Sequence, residues 1–216
     1  MKAIVLSFDK HHAYCELLYR MYINLWPDCP FTFRIPWNQK KPKFFCDKTN
    51  VELIECNKDI RLTIASLLEG IDDDDFVYWC IDDRFPIYIN KEKMSHLYTE
   101  INLFKNYSYI KPFHNKEVPN EGLAFNGFLE QSKLHQWGYY MHHFCKAGIL
   151  KSLFSQKNCY SIDDFHELLI NSFYKNTTGL RLSSKQEDYI KFEEPCIDGN
   201  RTQVAKKYLR TLNIHD

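Results

Sequence analysis

Residues 73–89 read DDDFVYWCIDDRFPIYI, in which an unbroken apolar run, Phe76–Ile81, ends on two adjacent carboxylates, Asp82 and Asp83. A run of this length, rich in aromatic and branched residues, is typical of a strand buried on both faces, as in a mostly parallel sheet. Burying two carboxylates costs several kcal/mol unless a cation or strong hydrogen-bond donors meet them. Because open α/β sheets bind ligands at the carboxyl ends of their strands, this pair is predicted to mark a functional site.

The segments on either side of this strand alternate between strand and helix patterns. Further strands are predicted at residues 3–8, 31–35, 51–56 and 107–113. Helices are predicted at 14–26, 60–70, 91–104, 163–174 and 201–212, with Asp59 and Asn90 as N-caps of the second and third. This order predicts an α/β fold with an open, mostly parallel sheet flanked by helices.

The overall charge and glycine content exclude several classes of protein. The formal net charge is zero over 216 residues, so the chain as a whole has no electrostatic reason to bind nucleic acid or an anionic membrane. Neither of the glycine-rich phosphate-binding patterns, GxGxxG or GxxxxGKS/T, occurs. We therefore expect no nucleic-acid partner.

The cysteines are scattered and form no CxxC pair, which indicates reduced thiols and a cytoplasmic protein. No signal peptide is recognised, and no apolar run approaches the ~20 residues that span a bilayer. The eight positions are Cys15, Cys29, Cys46, Cys56, Cys80, Cys145, Cys159 and Cys196.

Adjacent carboxylates at a strand end can hold a hard divalent cation, and such a cation can neutralise a departing diphosphate. The first strand, the helix after Asp59, the acidic turn and the FVYWCIDDR run resemble GT-A-type glycosyltransferases, which carry a short acidic DXD motif at the end of a central strand. The tail segments WGYYMHHFCKAGILKSLF, SIDDFHELL and IDGNRTQVAKKYLRTLNI are similar to the tails of small sugar transferases of surface-glycan clusters. Bacteria and large DNA viruses that glycosylate their capsids both carry such enzymes.

The resemblance implies a single GT-A-like domain over 1–216, with a nucleotide-binding half at 1–113 and an acceptor-side half at 114–216. It implies transfer of a sugar from a nucleotide-sugar donor, with UDP as the expected nucleotide, to a glycan or glycoprotein-glycan hydroxyl. The expected cofactor is Mn²⁺ or Mg²⁺, and the expected location is the cytoplasm, or the host cytoplasm for a viral protein. Two alternatives stay open: a sugar-phosphate nucleotidyltransferase, and a non-catalytic module that binds nucleotide sugars.

The resemblance also implies roles for individual residues. The donor-binding residues would be Ser7, Phe8, Asp9, Asp59, Arg61, Asp82, Asp83 and Arg84, with Asp82 and Asp83 as metal ligands. The acceptor side would include Trp137, His142 and His143. An inverting enzyme needs a base for the acceptor hydroxyl, and among Asp163, Asp164, His166 and Glu167 the preferred catalytic candidates are Asp164 and Glu167.

The acidic motif departs from the family pattern, because the chain reads Ile81-Asp82-Asp83-Arg84 instead of Asp-any-Asp. With Asp83 in the final place the motif implies a metal, and we favour this register. With Arg84 in the final place a guanidinium would help to neutralise the diphosphate, and metal dependence would be in doubt. Asp82 and Asp83 also have a structural interpretation as the start of a loop and the cap of a turn.

The histidines and aromatic residues of the tail have structural alternatives too. His142, His143 and Cys145 suggest zinc ligands, but no second cluster completes a four-ligand site, so aromatic packing is favoured. Trp137, Tyr139 and Tyr140 are more typical of a core than of a sugar-stacking surface.

Overall fold

The computed structural model describes residues 1–114, 124–125, 127–131, 141–155, 178–183, 185–193, 196–197, 200–201, 203 and 210. Its strands are Lys2–Leu6 (β1), Thr32–Trp37 (β2), Val51–Glu55 (β3), Phe76–Ile81 (β4), Phe85–Ile89 (β5), Tyr109–Lys111 (β6), Ala124–Phe125 (β7), Phe128–Gln131 (β8), His143–Lys146 (β9), Gly179–Leu182 (β10), Ile190–Glu193 (β11), Cys196–Ile197 (β12) and Asn200–Arg201 (β13). Its α-helices are His12–Leu25 (α1), Ile60–Leu67 (α2), Lys91–Thr99 (α3) and Ala147–Phe154 (α4), and short 3₁₀ helices cover Asp9–His11, Lys43–Phe45 and Ile101–Phe104.

Among the described residues, nine strands form one sheet in the order β3-β2-β1-β4-β9-β6-β10-β8-β7. β1 pairs in parallel with both β2 and β4, and β2 pairs in parallel with β3. β9 lies antiparallel between β4 and β6, and β8 is antiparallel to both of its neighbours. Seven of the nine strands therefore run in one direction, which confirms the predicted open, mostly parallel sheet.

Strand β4 lies inside this sheet, between β1 and β9, and all six of its residues are buried. Alternate side chains contribute to two cores on opposite faces of the sheet. Tyr78 and Cys80 pack in the core that contains residues of α1 and α3. Val77, Trp79 and Ile81 pack in the core that contains residues of α2 and α4. This confirms the predicted strand that is buried on both faces. Because β4 is packed on both sides, the position of the two carboxylates that follow it is fixed as well.

The two predicted N-caps are present in the structure. The Asp59 side chain accepts hydrogen bonds from the backbone N–H groups of Arg61 and Leu62, and the Asn90 side chain accepts one from Lys93. These bonds satisfy donors that have no partner within the first turn of a helix. Short polar side chains therefore determine where α2 and α3 begin. The start of α2 lies beside the carboxyl end of β3.

The acidic turn before β4, residues 72–75, connects that strand to α4 through hydrogen bonds and ion pairs. The backbone carbonyls of Asp73 and Asp75 accept hydrogen bonds from the N–H groups of Gly148 and Ala147, each at 2.9 Å. Lysines from β9 and α4 form ion pairs with the acidic side chains: Lys146 Nζ lies 2.8 Å from Asp74, and Lys151 Nζ lies 2.7 Å from Asp73. The side chains of Asp73 and Asp74 stay mostly exposed, as is usual for a run of charges, and their ion pairs give the turn a structural role.

The carboxyl-terminal third contains more strands than the sequence patterns predicted. Residues 143–146 form β9 in the middle of the sheet, although the surrounding segment reads as aromatic and amphipathic.

The strand β5 directly after the acidic pair was not predicted either; it pairs antiparallel with β11, about a hundred residues later in the chain. Arg201 lies in β13 and not at the start of a helix, which corrects that boundary. The predicted helix at 163–174 lies outside the described residues.

Strand β10 approaches β6 closely because Gly179 has no side chain. Gly179 lies opposite Tyr109, and a Cβ atom built on Gly179 would overlap the tyrosine ring. Tyr109 is itself buried at 1% exposure, so its ring has little room to move.

We therefore predict that Gly179→Ala lowers the free energy of unfolding by about 2 kcal/mol, the usual cost of overpacking a core. In a Tyr109→Leu background the same substitution should cost less, since the smaller side chain leaves room for the new methyl group. Urea denaturation of the four proteins of this double-mutant cycle measures the coupling. Additive effects, within about 0.5 kcal/mol, would contradict the close approach.

Candidate functional site

A cavity of about 600 Å³ opens at the edge of the sheet where β1, β2, β3 and β4 end. The residues that line it come from these strand ends, from the loops that follow them and from the start of α2. They are Leu6, Ser7, Phe8, Asp9, Lys10, His11, Pro36, Trp37, Asn38, Gln39, Cys56, Asn57, Lys58, Ile60, Thr63, Ile81, Asp82 and Asp83. This edge is where open α/β sheets bind their ligands, and the predicted acidic pair lies in the cavity wall.

Asp82 is a buried carboxylate that the protein itself satisfies. Its side chain is nearly inaccessible, at 5% residue exposure. The Ser7 hydroxyl donates to Asp82 Oδ2 over 2.5 Å, and His11 Nδ1 lies 3.2 Å from the same oxygen. The Cys15 thiol in turn donates to Ser7 Oγ over 2.9 Å. This network supplies the hydrogen-bond donors that a buried carboxylate requires, and it joins the ends of β1 and β4.

The contact with Asp82 also shifts the pKa of His11. The hydrogen bond from His11 to Asp82 raises the pKa of the imidazole above its ordinary value, while partial burial opposes the shift and the charge of Asp83 adds to it. The ring packs against that of Phe8 in a tilted arrangement, with 4.0 Å between the ring centroids, and Phe8 is 52% exposed and lines the cavity. Burial raises the pKa of the Cys15 thiol, which therefore stays protonated at neutral pH.

The next two residues of the motif differ from Asp82 in exposure and position. Asp83 is exposed and lines the cavity, whereas Arg84 is not among the cavity-lining residues. The backbone N–H of Arg84 donates to the carbonyl of Ile81 over 3.3 Å, so the chain turns here before entering β5. The structure thus places Asp82 and Asp83, but not Arg84, at the cavity.

Asp9 holds the loop after β2 in place. Its carboxylate accepts hydrogen bonds from the backbone N–H groups of Asn38, Gln39 and Lys40 at 2.8, 2.7 and 3.0 Å. Desolvation would raise the pKa of Asp9, but these three hydrogen bonds outweigh it and hold the pKa below its ordinary value. Asp9 therefore joins the loops that follow β1 and β2, and its oxygens are already used within the protein.

Asp59 and Arg61, predicted to lie beside the nucleotide, form an ion pair with each other. Arg61 Nη2 lies 2.6 Å from Asp59 Oδ2, and Arg61 Nε donates to Oδ1 over 3.0 Å. The hydrogen bond from Arg61 lowers the pKa of Asp59 to about 2. Neither side chain lines the cavity, although their neighbours Lys58 and Ile60 do.

Several cavity residues were not singled out from the sequence. They come from the ends of β2 and β3 and from α2, and they include Trp37, Asn38, Asn57, Lys58 and Thr63. A signal for them was present, since both strands were predicted and ligands bind at the carboxyl ends of such strands. Their residue types form no motif, so position was the only guide.

His142 and His143, expected on the acceptor side, are instead fully buried. His142 Nδ1 lies 2.7 Å from the Tyr22 hydroxyl, and its Nε2 lies 2.9 Å from the carbonyl of Ile81. A side chain without exposed surface cannot contact an acceptor sugar, so this expectation is corrected: the imidazole of His142 joins α1 to the end of β4. Trp137, Asp163, Asp164, His166 and Glu167 lie outside the described residues, and their roles stay predictions.

The cysteines behave as the sequence predicted where their side chains are described. Cys15, Cys29, Cys46, Cys56, Cys80 and Cys145 are free thiols, and all but Cys29 and Cys46 are buried. Among the described residues, no group of three or more metal-ligating side chains comes together. His143 and Cys145 belong to strand β9, where both are buried.

The predicted pair of metal-binding carboxylates does not fit this arrangement well. Two ligands on one cation must point their oxygens at the same place. Asp82 Oδ2 already accepts two hydrogen bonds and is buried, while Asp83 is exposed. Asp83 alone presents an exposed carboxylate from the motif, and the dependence on Mn²⁺ or Mg²⁺ stays a prediction.

Comparison with known proteins shows a likeness in fold. No family model and no curated protein sequence matches the chain. The 1–349 segment of S. aureus TarS superposes with a TM-score of 0.51 at 14% identity, over 85% of this chain and 58% of that one. The apo-form glycosyltransferase GlyE of Streptococcus pneumoniae TIGR4 superposes with a TM-score of 0.52 at 9% identity, over 100% of this chain and 60% of that one.

The chain spans less than two thirds of the length of either structure. At this level of identity the likeness concerns the fold, and the GT-A-like α/β fold implied by the sequence is confirmed. The protein has the architecture of GT-A-type glycosyltransferases. Within the described residues, no helix has the length and apolar character needed to cross a bilayer.

The buried histidine predicts how stability depends on pH. Burial lowers the pKa of His142 from 6.5 to about 3, so the imidazole is neutral in the folded protein and takes up a proton on unfolding. The stabilisation is complete above pH 6.5 and is lost as the pH falls below that value. Between pH 7.5 and 5.5 we expect His142 to account for a loss of about 1.4 kcal/mol in unfolding free energy.

Urea denaturation of the wild-type protein and of His142→Gln at both pH values measures this loss. The glutamine can hydrogen-bond both partners but does not titrate, so the decrease between the two pH values should be smaller in the variant. His96→Gln is the control, since His96 lies exposed on α3. Equal decreases in wild type and His142→Gln would show that His142 is not buried as a neutral ring.

Proposed function

We propose that the protein is a glycosyltransferase that moves a sugar from a nucleotide-sugar donor to a hydroxyl group of a glycan or glycoprotein glycan. The observation that carries this proposal is the cavity at the carboxyl ends of β1–β4, with Asp82 and Asp83 in its wall and aromatic and basic side chains around them. The GT-A-like fold supports it, since GlyE, which shares that fold, is a glycosyltransferase.

The lining of the cavity suits the parts of a nucleotide sugar. The exposed ring of Phe8 and the indole of Trp37 offer faces on which a base can stack. The side chains of Asn38, Asn57 and Thr63 supply hydrogen-bonding groups beside them. A volume of about 600 Å³ lies within the range of small-molecule sites. UDP is our proposed nucleotide.

In the proposed reaction the acceptor oxygen bonds to the anomeric carbon of the donor sugar, and the bond from that carbon to the diphosphate oxygen breaks. The departing nucleoside diphosphate gains negative charge, which the protein must stabilise. The acceptor hydroxyl loses its proton to a base, for which Asp164 and Glu167 stay the proposed candidates.

The direct test is incubation of the full chain with UDP-, GDP- and CMP-sugars, followed by detection of the released nucleotide. Release from one donor, increased by a hydroxyl acceptor, supports the proposal. Pyrophosphate release from a nucleoside triphosphate and a sugar phosphate would instead indicate a nucleotidyltransferase. Donor binding without turnover under any condition would indicate a binding module.

The stacking role predicts the effect of removing the Phe8 ring. Base–aromatic stacking contributes about 1–3 kcal/mol, so Phe8→Ala should weaken binding of the preferred nucleotide about tenfold or more. Phe8 is largely exposed, and its loss should leave the folded structure intact. Isothermal titration calorimetry measures the affinity, and Tyr88→Ala on β5, an exposed aromatic residue outside the cavity, serves as the control. Equal affinities of Phe8→Ala and wild type would place the base elsewhere.

A further inference from the structure

The acidic groups in and beside the cavity are largely satisfied by the protein itself. Asp82 Oδ2 accepts hydrogen bonds from Ser7 and His11, and Asp9 accepts three from the loop after β2. Asp59, next to the cavity, pairs with Arg61. These carboxylates hold loops together, and their oxygens are already engaged by donors of the protein.

Two lysines of the cavity differ from these carboxylates, because no oppositely charged group among the described residues pairs with them. Lys10 follows β1 and Lys58 follows β3, and both are exposed and line the cavity. Among the described residues, no carboxylate forms an ion pair with either lysine. At the start of β4, by contrast, Lys146 and Lys151 pair with aspartates. The cavity therefore presents cationic groups whose charge the surrounding protein leaves available to a ligand.

A bound diphosphate would need this kind of environment. An ammonium group can donate charge-assisted hydrogen bonds to phosphate oxygens without an intervening cation. Lys10 and Lys58 come from loops after different strands, so a ligand that contacts both must lie across the strand ends, in the cavity. The backbone next to Lys10 is fixed on one side by Asp9, which is bonded to residues 38–40, and on the other by the contact of His11 with Asp82.

We propose that Lys10 and Lys58 bind the diphosphate of the nucleotide directly, and that Asp82 is a positioning residue for the loop after β1 and not a metal ligand. This inference rests on the proposed function. Its consequence is that a nucleoside diphosphate binds without a divalent cation. Asp82 acts through its hydrogen bonds to Ser7 and His11, which set the loop that carries Lys10.

The experiment is a calorimetric titration of the full chain with UDP, and with GDP and CDP in parallel, in EDTA and again in Mn²⁺. For the nucleotide that binds best, we expect similar affinities under both conditions. Lys10→Gln and Lys58→Gln should each weaken binding about tenfold in EDTA, the effect of losing one hydrogen bond to a charged group. Lys105→Gln, an exposed lysine outside the cavity, is the matched charge control and should bind as the wild type does.

Variants of Asp82 separate positioning from metal binding. Asp82→Ala removes the acceptor of the Ser7 hydrogen bond and should weaken binding in EDTA. Asp82→Asn keeps an oxygen that can accept this bond, so it should recover most of the affinity without any metal. If Asp82 were instead a metal ligand, Mn²⁺ would strengthen nucleotide binding to the wild-type protein. Asp82→Asn would then lose that gain in affinity, because a neutral amide binds the cation more weakly than a carboxylate does.

The outcomes are distinguishable. Binding that requires Mn²⁺ and disappears in Asp82→Asn overturns this inference and leaves the proposed function in place. Unchanged affinity of both lysine variants in EDTA also overturns it. Absence of binding to all three nucleotides, with and without Mn²⁺, overturns the proposed function and this inference with it.

Discussion

The hydrogen bond from Ser7 to Asp82 joins the ends of the two central parallel strands, and the candidate site is built around it. Asp82 follows β4, which is buried on both faces, and Ser7 follows β1, its parallel neighbour. A carboxylate in this position is costly unless donors reach it, and Ser7 and His11 supply them at 2.5 and 3.2 Å. The loop after β1 is thereby held against the end of β4, and the cavity wall has a defined shape.

The sequence was most informative where the chemistry is local. The apolar run of β4 has only one stable environment, a position between two layers, so the central strand and the acidic residues after it were predictable. Asp59 and Asn90 act within one helical turn of themselves, and the starts of α2 and α3 followed from residue type alone. The open α/β class followed from the order of such elements.

Contacts between distant parts of the chain could not be predicted from the sequence patterns. A histidine pair beside aromatic residues is compatible with a surface or with a core, and only the partners Tyr22 and Ile81 decide that His142 is buried. Similarly, the residue type of Asp82 does not reveal that Ser7 and His11 use its oxygen. Trp37 and Lys58 belong to no motif and enter the site through the position of their strand ends alone.

The pairing of β5 with β11 has a consequence for the order in which the protein is made and folds. β5 leaves directly from the acidic pair, yet its partner begins at Ile190, so the ribosome must add roughly a hundred residues before the ladder can close. Contacts this far apart in sequence are slow to form. The nascent chain can assemble β1–β4 early from neighbouring segments, whereas the strand after Asp83 and Arg84 stays unpaired with β11 until residues 190–193 have been synthesised.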